Sequence, residues 1–231
     1  MANFVFQNRE EAGALLANKL EKYKDNPNVI ILAVPRGGAV VGRRIADILG
    51  LPLSLAVVRK IGAPYNPELA VGAIAPGGIE VIDGELAARV GADREYLDKE
   101  IEIKRKELEE RLKKYQISNI KYQIRNKEIV ILVDDGIATG ATTLAAVRYI
   151  KGSQKSKVPS ARAQGEGKSQ KLRIILAVPV VARDTFDRLK SEVEEIMALE
   201  IPEFFGAVGQ FYLEFSQIDD KEVSKLLASS N

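Results

Sequence analysis

The residues best suited to chemistry are two adjacent carboxylates that follow an apolar run and precede a turn rich in glycine and threonine. Residues 130–142 read Val-Ile-Leu-Val-Asp-Asp-Gly-Ile-Ala-Thr-Gly-Ala-Thr, so Asp134 and Asp135 end the apolar run. Free backbone amides in such a turn, together with the N-terminus of a following helix, form an anion site. Further hydroxyl donors are available from Thr139, Thr142 and Thr143.

The two carboxylates restrict which anion this turn can accept. Carboxylates beside a phosphate would repel it unless they face hydroxyl groups of the same ligand, or a cation. A ribose 5-phosphate satisfies both parts, because it carries a phosphate at one end and vicinal hydroxyls nearby. A Walker-type phosphate loop is excluded, since its glycine spacing and its lysine are absent here. The plainer alternative is a strand-to-helix turn in which an aspartate caps the helix.

This segment closely resembles the phosphoribosyl diphosphate (PRPP) binding motif of type I phosphoribosyltransferases, in which four apolar residues precede two acidic ones and a Thr-Gly-x-Thr turn. The resemblance implies that Asp134 and Asp135 hold the ribose hydroxyls and offset the positive charge that develops on the ribose ring. It also implies that the 5-phosphate is cradled by Ala138, Thr139, Gly140, Ala141 and Thr142. Family enzymes for 6-oxopurines usually have Asp where this chain has Ala138, which disfavours hypoxanthine and guanine as substrates.

A second segment, Pro35-Arg36-Gly37-Gly38, follows another apolar run. It resembles the pyrophosphate loop of the same family. Gly37 and Gly38 permit close approach of the backbone to a ligand, and Arg36 can donate to phosphate oxygens. Relatives often have a cis peptide in this loop, so we expect one near Arg36.

A third segment, Arg59-Lys60-Ile61-Gly62, resembles the Arg-Lys-x-Gly of adenine phosphoribosyltransferases, in which the Arg-Lys pair reaches the pyrophosphate. The plainer interpretation of Arg59 and Lys60 is a solvated pair at a strand end. The resemblance implies that Mg²⁺ bridges pyrophosphate and ribose oxygens of PRPP with few direct protein ligands, so no metal-binding residue is assigned. Mg²⁺ would make pyrophosphate a better leaving group.

Two further regions resemble parts of the family that cover the site. The stretch Gly62–Gly84, rich in Gly and Pro, occupies the place of the catalytic lid, and Tyr65 and Glu68 lie within it. The stretch Phe204–Tyr212 is rich in aromatic residues and lies where relatives cover the acceptor base. Stacking on the base is one interpretation of Phe205 or Phe211, and ordinary core packing is the other.

The elements that must position these segments follow from hydrophobic periodicity. Apolar runs predict strands at residues 29–34, 53–58, 129–133, 173–178 and 193–199, and helical spacing predicts helices at residues 10–23, 39–49, 93–116, 141–150, 185–190 and 221–228. Residues 61–84 read as loop with one or two short strands, at 69–74 and 79–82. Alternating strands and helices predict an α/β fold with an open, mainly parallel sheet and flanking helices, type I phosphoribosyltransferase-like. We expect one domain over residues 1–231, with a lid and long-helix insertion at 61–116.

Residues 152–171 differ in composition from the rest of the chain. They contain five basic residues and one acidic residue, and they lack aromatic residues, Ile, Leu and Met. This composition is typical of a mobile surface insertion. A basic arm that binds nucleic acid is the alternative, and the lack of interleaved aromatic residues argues against it.

The composition excludes several kinds of site. The 231-residue chain has no cysteine and no histidine, which rules out disulfides, thiol nucleophiles, Ser-His-Asp triads and metal sites built on imidazole or thiolate. Its net charge of +2 gives no global argument for nucleic acid or membrane partners. The first residues do not read as a signal peptide, and no apolar run approaches the ~20 residues that span a bilayer, so a cytoplasmic protein is expected.

Together these segments predict a Mg²⁺-dependent enzyme that transfers the phosphoribosyl group of PRPP to a nitrogen acceptor, a nucleobase or similar small heterocycle, and releases pyrophosphate. The catalytic residues expected from the resemblance are Asp134, Asp135, Arg59 and Lys60. A homodimer is expected by analogy with the family. The alternative is a non-catalytic regulator that senses PRPP and binds nucleic acid through its basic insertion.

Overall fold

The computed structural model describes residues 5–115, 123–124, 126–155 and 172–228. The described strands are β1 (Val29–Ala33), β2 (Leu53–Leu55), β3 (Arg59–Ala63), β4 (Asn66–Ala75), β5 (Ile79–Ile82), β6 (Ile129–Val133), β7 (Arg173–Val180) and β8 (Glu195–Glu200). The described helices are α1 (Arg9–Lys19), α2 (Gly37–Leu49), α3 (Gly84–Arg89), α4 (Arg94–Lys114), α5 (Ala141–Lys155), α6 (Arg183–Leu189) and α7 (Asp220–Ala228). Short 3₁₀ turns lie at Glu21–Tyr23 and Val208–Phe211.

Five strands form a parallel sheet in the order β2-β1-β6-β7-β8. The apolar runs of its strands are unbroken because both faces of the sheet are covered. In β1, Val29, Ile31 and Ala33 pack into the cluster that includes residues of α1 and α2. The intervening Ile30 and Leu32 pack on the other face, in the cluster that includes residues of α5. The predicted α/β fold with a mainly parallel sheet is confirmed.

The strand that follows β1 in sequence, β2, pairs on one side of the β1–β6 pair. The strands that follow β6, β7 and β8, lie on the other side. The carboxyl ends of β1 and β6 therefore flank the point at which the strand order reverses. Open α/β sheets bind ligands in the crevice at such a switch point. The acidic pair follows β6 and the glycine loop follows β1, so the fold brings two of the three predicted segments to this crevice.

The short strands predicted at 69–74 and 79–82 are present, as part of β4 and as β5, but the prediction that the rest of residues 61–84 is loop is wrong. The structure has a three-stranded antiparallel sheet here, in the order β3-β4-β5. Two glycines that indicated loop instead allow close strand packing, since a Cβ at Gly62 would lie 2.6 Å from the Pro67 carbonyl oxygen. A Cβ at Gly72 would lie 2.7 Å from the Val81 carbonyl oxygen.

The long helix α4 agrees closely with the predicted helix at 93–116 and packs against β3 and β4. Asp93 caps it by accepting a hydrogen bond from the backbone N–H of Tyr96 at 2.8 Å. Helix α5 runs to Lys155, four residues into the predicted basic insertion, and residues 156–171 of that segment lie outside the described residues. Within the described ranges, no helix is both long and apolar enough to cross a membrane.

Candidate active site

The loop after β1 and the loop after β6 lie directly against each other. The two strands end in register, with Ala33 opposite Val133, and the N–H of Val34 donates to the Val133 carbonyl at 2.8 Å. A Cβ at Gly38 would lie 2.9 Å from the Cα of Asp134, and one at Gly37 would overlap the Asp135 carboxylate. Only glycine fits at these two positions, so Gly37 and Gly38 press the β1 loop onto the acidic pair. The Pro35–Arg36 peptide in this loop is cis, as expected.

The two aspartates have different surroundings. Asp134 accepts a hydrogen bond from the backbone N–H of Asp135 at 2.9 Å. Burial raises the pKa of Asp134 well above the usual carboxyl value, and the adjacent charge of Asp135 raises it further. Asp134 therefore retains a proton at a pH at which an ordinary carboxyl group has lost it.

Asp135 is paired with Arg9, a residue that the sequence analysis did not single out. The Nε of Arg9 lies 2.7 Å from Oδ2 of Asp135, and the side chains of Arg9 and Asp135 are 9% and 15% exposed. The guanidinium lies 3.9 Å from the ring centroid of Phe215, and its Nη1 donates to the Ser216 carbonyl at 2.8 Å. Nothing in the local sequence marks Arg9, because its partner is 126 residues away.

Tyr212 fixes the backbone of the acidic pair from the same side. Its hydroxyl donates to the Asp135 carbonyl oxygen at 2.6 Å. Burial raises the pKa of Tyr212, and the charge of Asp135 raises it further, so the phenol stays protonated as a donor. The C-terminal segment around residues 212–216 thus holds both the backbone and, through Arg9, the side chain of Asp135.

Helix α6 donates hydrogen bonds to the turn that follows the acidic pair. Buried Thr185 donates its hydroxyl to the Ala138 carbonyl at 2.5 Å, and Arg188 donates to the Thr139 carbonyl at 2.7 Å. Gly140 has a φ of 74°, and a Cβ there would lie 2.6 Å from Cγ2 of Thr185. These contacts occupy two carbonyls of the turn and are a second feature that the sequence analysis missed.

The predicted phosphate-binding residues differ in accessibility. Ala138 is exposed, while Thr139, Gly140 and Thr142 are half-buried. Ala141 begins α5, so the turn leads into a helix N-terminus as predicted. Thr143 is 1% exposed, which separates its hydroxyl from any ligand on the surface of the turn.

The structure places Arg59 and Lys60 differently from the prediction. They begin β3, rather than ending the strand before it, and β2 already ends at Leu55. Arg59 forms an ion pair with Glu107 of α4. Lys60 lies 2.8 Å from the carboxylate of Glu68 in β4. Both predicted pyrophosphate ligands are therefore engaged by carboxylates of the protein itself.

Arg59 lies in a cluster of cationic side chains. Burial lowers its pKa, and the charges of Arg111 and Arg36 lower it further. Arg111 lies one helical turn beyond Glu107 on α4 and is 3.4 Å from Asp220. Asp220 also accepts a hydrogen bond from the hydroxyl of Tyr115 at 2.8 Å. Arg36 is exposed at the start of α2, and because its charge acts on Arg59 the third predicted segment lies near the second.

A cleft of about 470 Å³ lies between the β3–β4 hairpin and α4. Arg59, Lys60 and Glu68 line it, together with Tyr96, whose hydroxyl donates to the Gly62 carbonyl at 2.9 Å. Tyr65, in the turn of the hairpin, is 94% exposed. The start of the predicted lid region is thus a β3–β4 hairpin that Tyr96 ties to α4.

The aromatic segment Phe204–Tyr212 divides into core and surface. Phe211 is 1% exposed and belongs to the core, so the interpretation that it stacks on a ligand is wrong. Phe205 is half-buried and its ring centroid lies 5.3 Å from that of Phe211. Phe204 is 83% exposed. Among the described residues, no three or more carboxylate, histidine or cysteine side chains cluster to hold a metal ion.

Known proteins resemble this chain along most of its length. The family model described as "Phosphoribosyl transferase domain" matches residues 5–213. Proteins from two strains of Mycobacterium tuberculosis, CDC 1551 / Oshkosh and H37Rv, are 34% identical over 223 residues, and their names assign them provisionally to the phosphoribosyl transferases. The match covers 96% of this chain and 46% of each relative, so the chain spans about half the length of these curated proteins.

A solved structure extends the likeness to three dimensions. The crystal structure of a protein from Thermus thermophilus shares 35% sequence identity with this chain, with a TM-score of 0.69. The match covers 98% of this chain and 99% of that one. The parallel sheet, the acidic pair at its switch point and the matched family model agree with one another. The chain belongs to the phosphoribosyl transferase domain family.

Proposed function

We propose that the protein transfers the phosphoribosyl group of PRPP to a nitrogen acceptor in a Mg²⁺-dependent reaction that releases pyrophosphate. The observation that carries this proposal is the contact of Gly37 and Gly38 with the acidic pair. It juxtaposes a loop suited to pyrophosphate with carboxylates suited to ribose hydroxyls. PRPP carries these two groups on adjacent carbons of one ring.

Each part of PRPP has a counterpart in the site. The turn at residues 138–142 supplies backbone amides and a helix N-terminus for the 5-phosphate. Asp134 and Asp135 accept the ribose hydroxyls. The pyrophosphate lies toward Arg36 and the start of β3, where it exchanges places with the carboxylates that now hold Arg59 and Lys60. Of the threonines, Thr139 and Thr142 are the donors, since Thr143 is buried.

The reaction itself needs little covalent chemistry from the protein. The acceptor nitrogen forms a bond to C1 of the ribose while the bond from C1 to the pyrophosphate oxygen breaks. The bonding electrons leave with pyrophosphate, the acceptor nitrogen loses its proton, and the configuration at C1 inverts. Positive charge builds on the ring as the leaving group departs, and the acidic pair offsets it. Catalysis is therefore positioning and electrostatics, for which a chain without histidine is adequate.

Mg²⁺ fits this proposal as a partner of the substrate. The acidic pair offers carboxylate oxygens, which Mg²⁺ prefers, and most of its coordination would come from PRPP and water. When bound, Mg²⁺ neutralises charge on the pyrophosphate and so improves it as a leaving group. Arg36, Arg59 and Lys60 supply the remaining positive charge from the protein.

The acceptor is proposed to be a nucleobase or a similar small heterocycle. Ala138 stands where the resemblance places Asp in 6-oxopurine enzymes, so adenine-like acceptors are favoured over hypoxanthine and guanine. Phe215 is 40% exposed and lies over Arg9, the partner of Asp135, so it offers apolar surface for a flat ring near the acidic pair.

A PRPP-sensing regulator without catalysis is the second candidate. The pairing of Arg59 with Glu107 and of Lys60 with Glu68 favours it, because both cations are occupied within the protein. A regulator needs the binding turn but has no need to release those cations to pyrophosphate. Turnover therefore separates the two candidates, and PRPP binding alone does not.

The test follows pyrophosphate release from PRPP and Mg²⁺ in the presence of a pool of nucleobases, for the native protein and for Asp134→Asn. Release that requires both the pool and Asp134 would establish the transferase, and splitting the pool would identify the acceptor. A rise in melting temperature with PRPP but no release would favour the regulator. No release and no thermal shift would contradict both candidates.

A further inference from the structure

We propose that Arg9 is a positioning residue for the transfer reaction: it holds the carboxylate of Asp135 in the orientation in which it meets the ribose. This inference rests on the proposed function and deepens it. Arg9 contacts the acidic pair and is placed to act on the substrate through Asp135. It lies on α1, an element outside all three segments with sequence motifs.

The geometry of Arg9 is that of a fixed support. Its Nε lies 2.7 Å from Oδ2 of Asp135, while its Nη1 donates to the Ser216 carbonyl at 2.8 Å. The ring of Phe215 covers the guanidinium, 3.9 Å from its centroid. A planar group held at two edges and one face has little freedom to rotate. The orientation of the Asp135 carboxylate is therefore set by two distant parts of the chain, α1 and the segment that contains Phe215 and Ser216.

The ion pair with Arg9 also reduces the energetic cost of placing two adjacent carboxylates in a partly buried site. An unpaired buried charge is costly, and two like charges side by side cost more. The ion pair with Arg9 compensates the charge of Asp135, whereas Asp134 forms no ion pair with the described residues and accepts a hydrogen bond from the Asp135 N–H. The two aspartates are thus unequal before any ligand arrives, with one oxygen of Asp135 committed to Arg9.

The packing at Gly37 extends the role of Arg9 to the glycine loop. A Cβ at Gly37 would lie 2.7 Å from Nε of Arg9 as well as overlapping the carboxylate of Asp135. The glycine loop, the acidic pair and α1 therefore meet at one point. Loss of the guanidinium would free Asp135 to rotate and would leave space beneath the loop.

The test compares Arg9→Ala with Arg43→Ala, a matched control at a similarly buried arginine that pairs with Asp47 on α2. PRPP affinity with Mg²⁺ is measured by calorimetry, and kcat and KM by pyrophosphate release. We expect Arg9→Ala to weaken PRPP binding about tenfold to a hundredfold and to lower kcat more than it raises KM for the acceptor. Guanidinium chloride at non-denaturing concentration should restore part of the loss in Arg9→Ala, and sodium chloride should not.

Arg9→Lys keeps the test decisive if Arg9→Ala does not fold. Lysine retains the charge but cannot donate along the two edges that Arg9 uses, so PRPP binding should still weaken severalfold. Native affinity and native kcat in a folded Arg9 variant, with the native protein active, would overturn the role of Arg9 alone. A native protein that does not bind PRPP would instead overturn the proposed function, and this inference with it.

Discussion

The backbone of Gly37 lies so close to Asp135 that a side-chain Cβ at this position would overlap the carboxylate oxygen Oδ2. The two residues come from loops that follow β1 and β6, strands that end in register at the switch point of the sheet. Their contact ties the orientation of the Asp135 carboxylate to the glycine loop. Within the proposed site, we therefore expect an added methyl group to cause the largest disturbance at Gly37.

Gly37→Ala is therefore expected to displace Asp135 and to weaken PRPP binding at least about tenfold, or about 1.4 kcal/mol. Gly84→Ala is the matched control, because nothing lies within 4 Å of a Cβ at Gly84. Calorimetric titration with PRPP and Mg²⁺ measures both variants. Equal PRPP affinities in Gly37→Ala and Gly84→Ala would mean that PRPP binding does not depend on the orientation of the Asp135 side chain.

Asparagine substitutions at the two aspartates should change stability in opposite directions. Asp134→Asn keeps the hydrogen bond from the Asp135 N–H and removes a carboxyl whose charged form is disfavoured by burial, so the melting temperature should rise. Asp135→Asn leaves Arg9 as an unpaired charge at 8% exposure, which should cost about 3 kcal/mol. Thermal and urea unfolding measure the two variants. A change in stability of the same sign in both variants would contradict the difference between the surroundings of Asp134 and Asp135.

The pH dependence of stability follows from the raised pKa of Asp134. A carboxyl group whose pKa is higher in the folded state binds its proton more tightly there than in the unfolded chain. It stabilises the fold at low pH, and that contribution is lost as the pH rises through the folded pKa. The stability advantage of Asp134→Asn over the native protein should therefore grow from mild acid toward alkaline pH. A stability difference between Asp134→Asn and the native protein that shrinks with rising pH would contradict a raised pKa of Asp134 in the folded state.

Glu107→Gln should tighten PRPP binding. The substitution removes the carboxylate that pairs with Arg59, so pyrophosphate no longer competes with it for the guanidinium. Glu102→Gln on the same helix is the control, since Glu102 pairs with Lys106 on an exposed surface. We expect a gain of severalfold in PRPP affinity for Glu107→Gln and none for Glu102→Gln. Weaker binding in Glu107→Gln would show that Glu107 orients Arg59 for the ligand rather than competing with it.

The sequence predicted those parts of the site that follow directly from buried strands. Unbroken apolar runs located β1 and β6, and the residues after each strand then had to meet at the carboxyl edge of the sheet. Asp134, Asp135, Gly37 and Gly38 were found in this way. The resemblance to the family added the expectation of a cis peptide near Arg36, which the structure has.

The residues that support the site could not be read from the sequence. Arg9, Thr185 and Arg188 lie on α1 and α6, and their contacts with the acidic pair and the turn depend on how these helices pack. An arginine in the first turn of a helix and a threonine in a short helix are ordinary surface residues by pattern alone. Their role is set by contacts with residues that are distant in the sequence and close in the fold.

The errors at β3, at the start of β4 and at Phe211 have a common physical origin. Glycine and proline indicated loop around short strands at 69–74 and 79–82, whereas Gly62 and Gly72 lie within strands and allow them to approach closely. Phe211 was placed among candidate stacking residues, although its side chain fills the small core around Phe6 and Val180. In each case tertiary packing overrides a local preference.

A crystal structure of the protein with PRPP and Mg²⁺ would show whether the turn after β6 binds the phosphoribosyl end of PRPP. We expect the 5-phosphate at residues 138–142, the ribose hydroxyls at Asp134 and Asp135, and Arg59 moved from Glu107 toward the pyrophosphate. A complex with PRPP bound elsewhere, or with the acidic pair still making only its present contacts, would contradict this proposal.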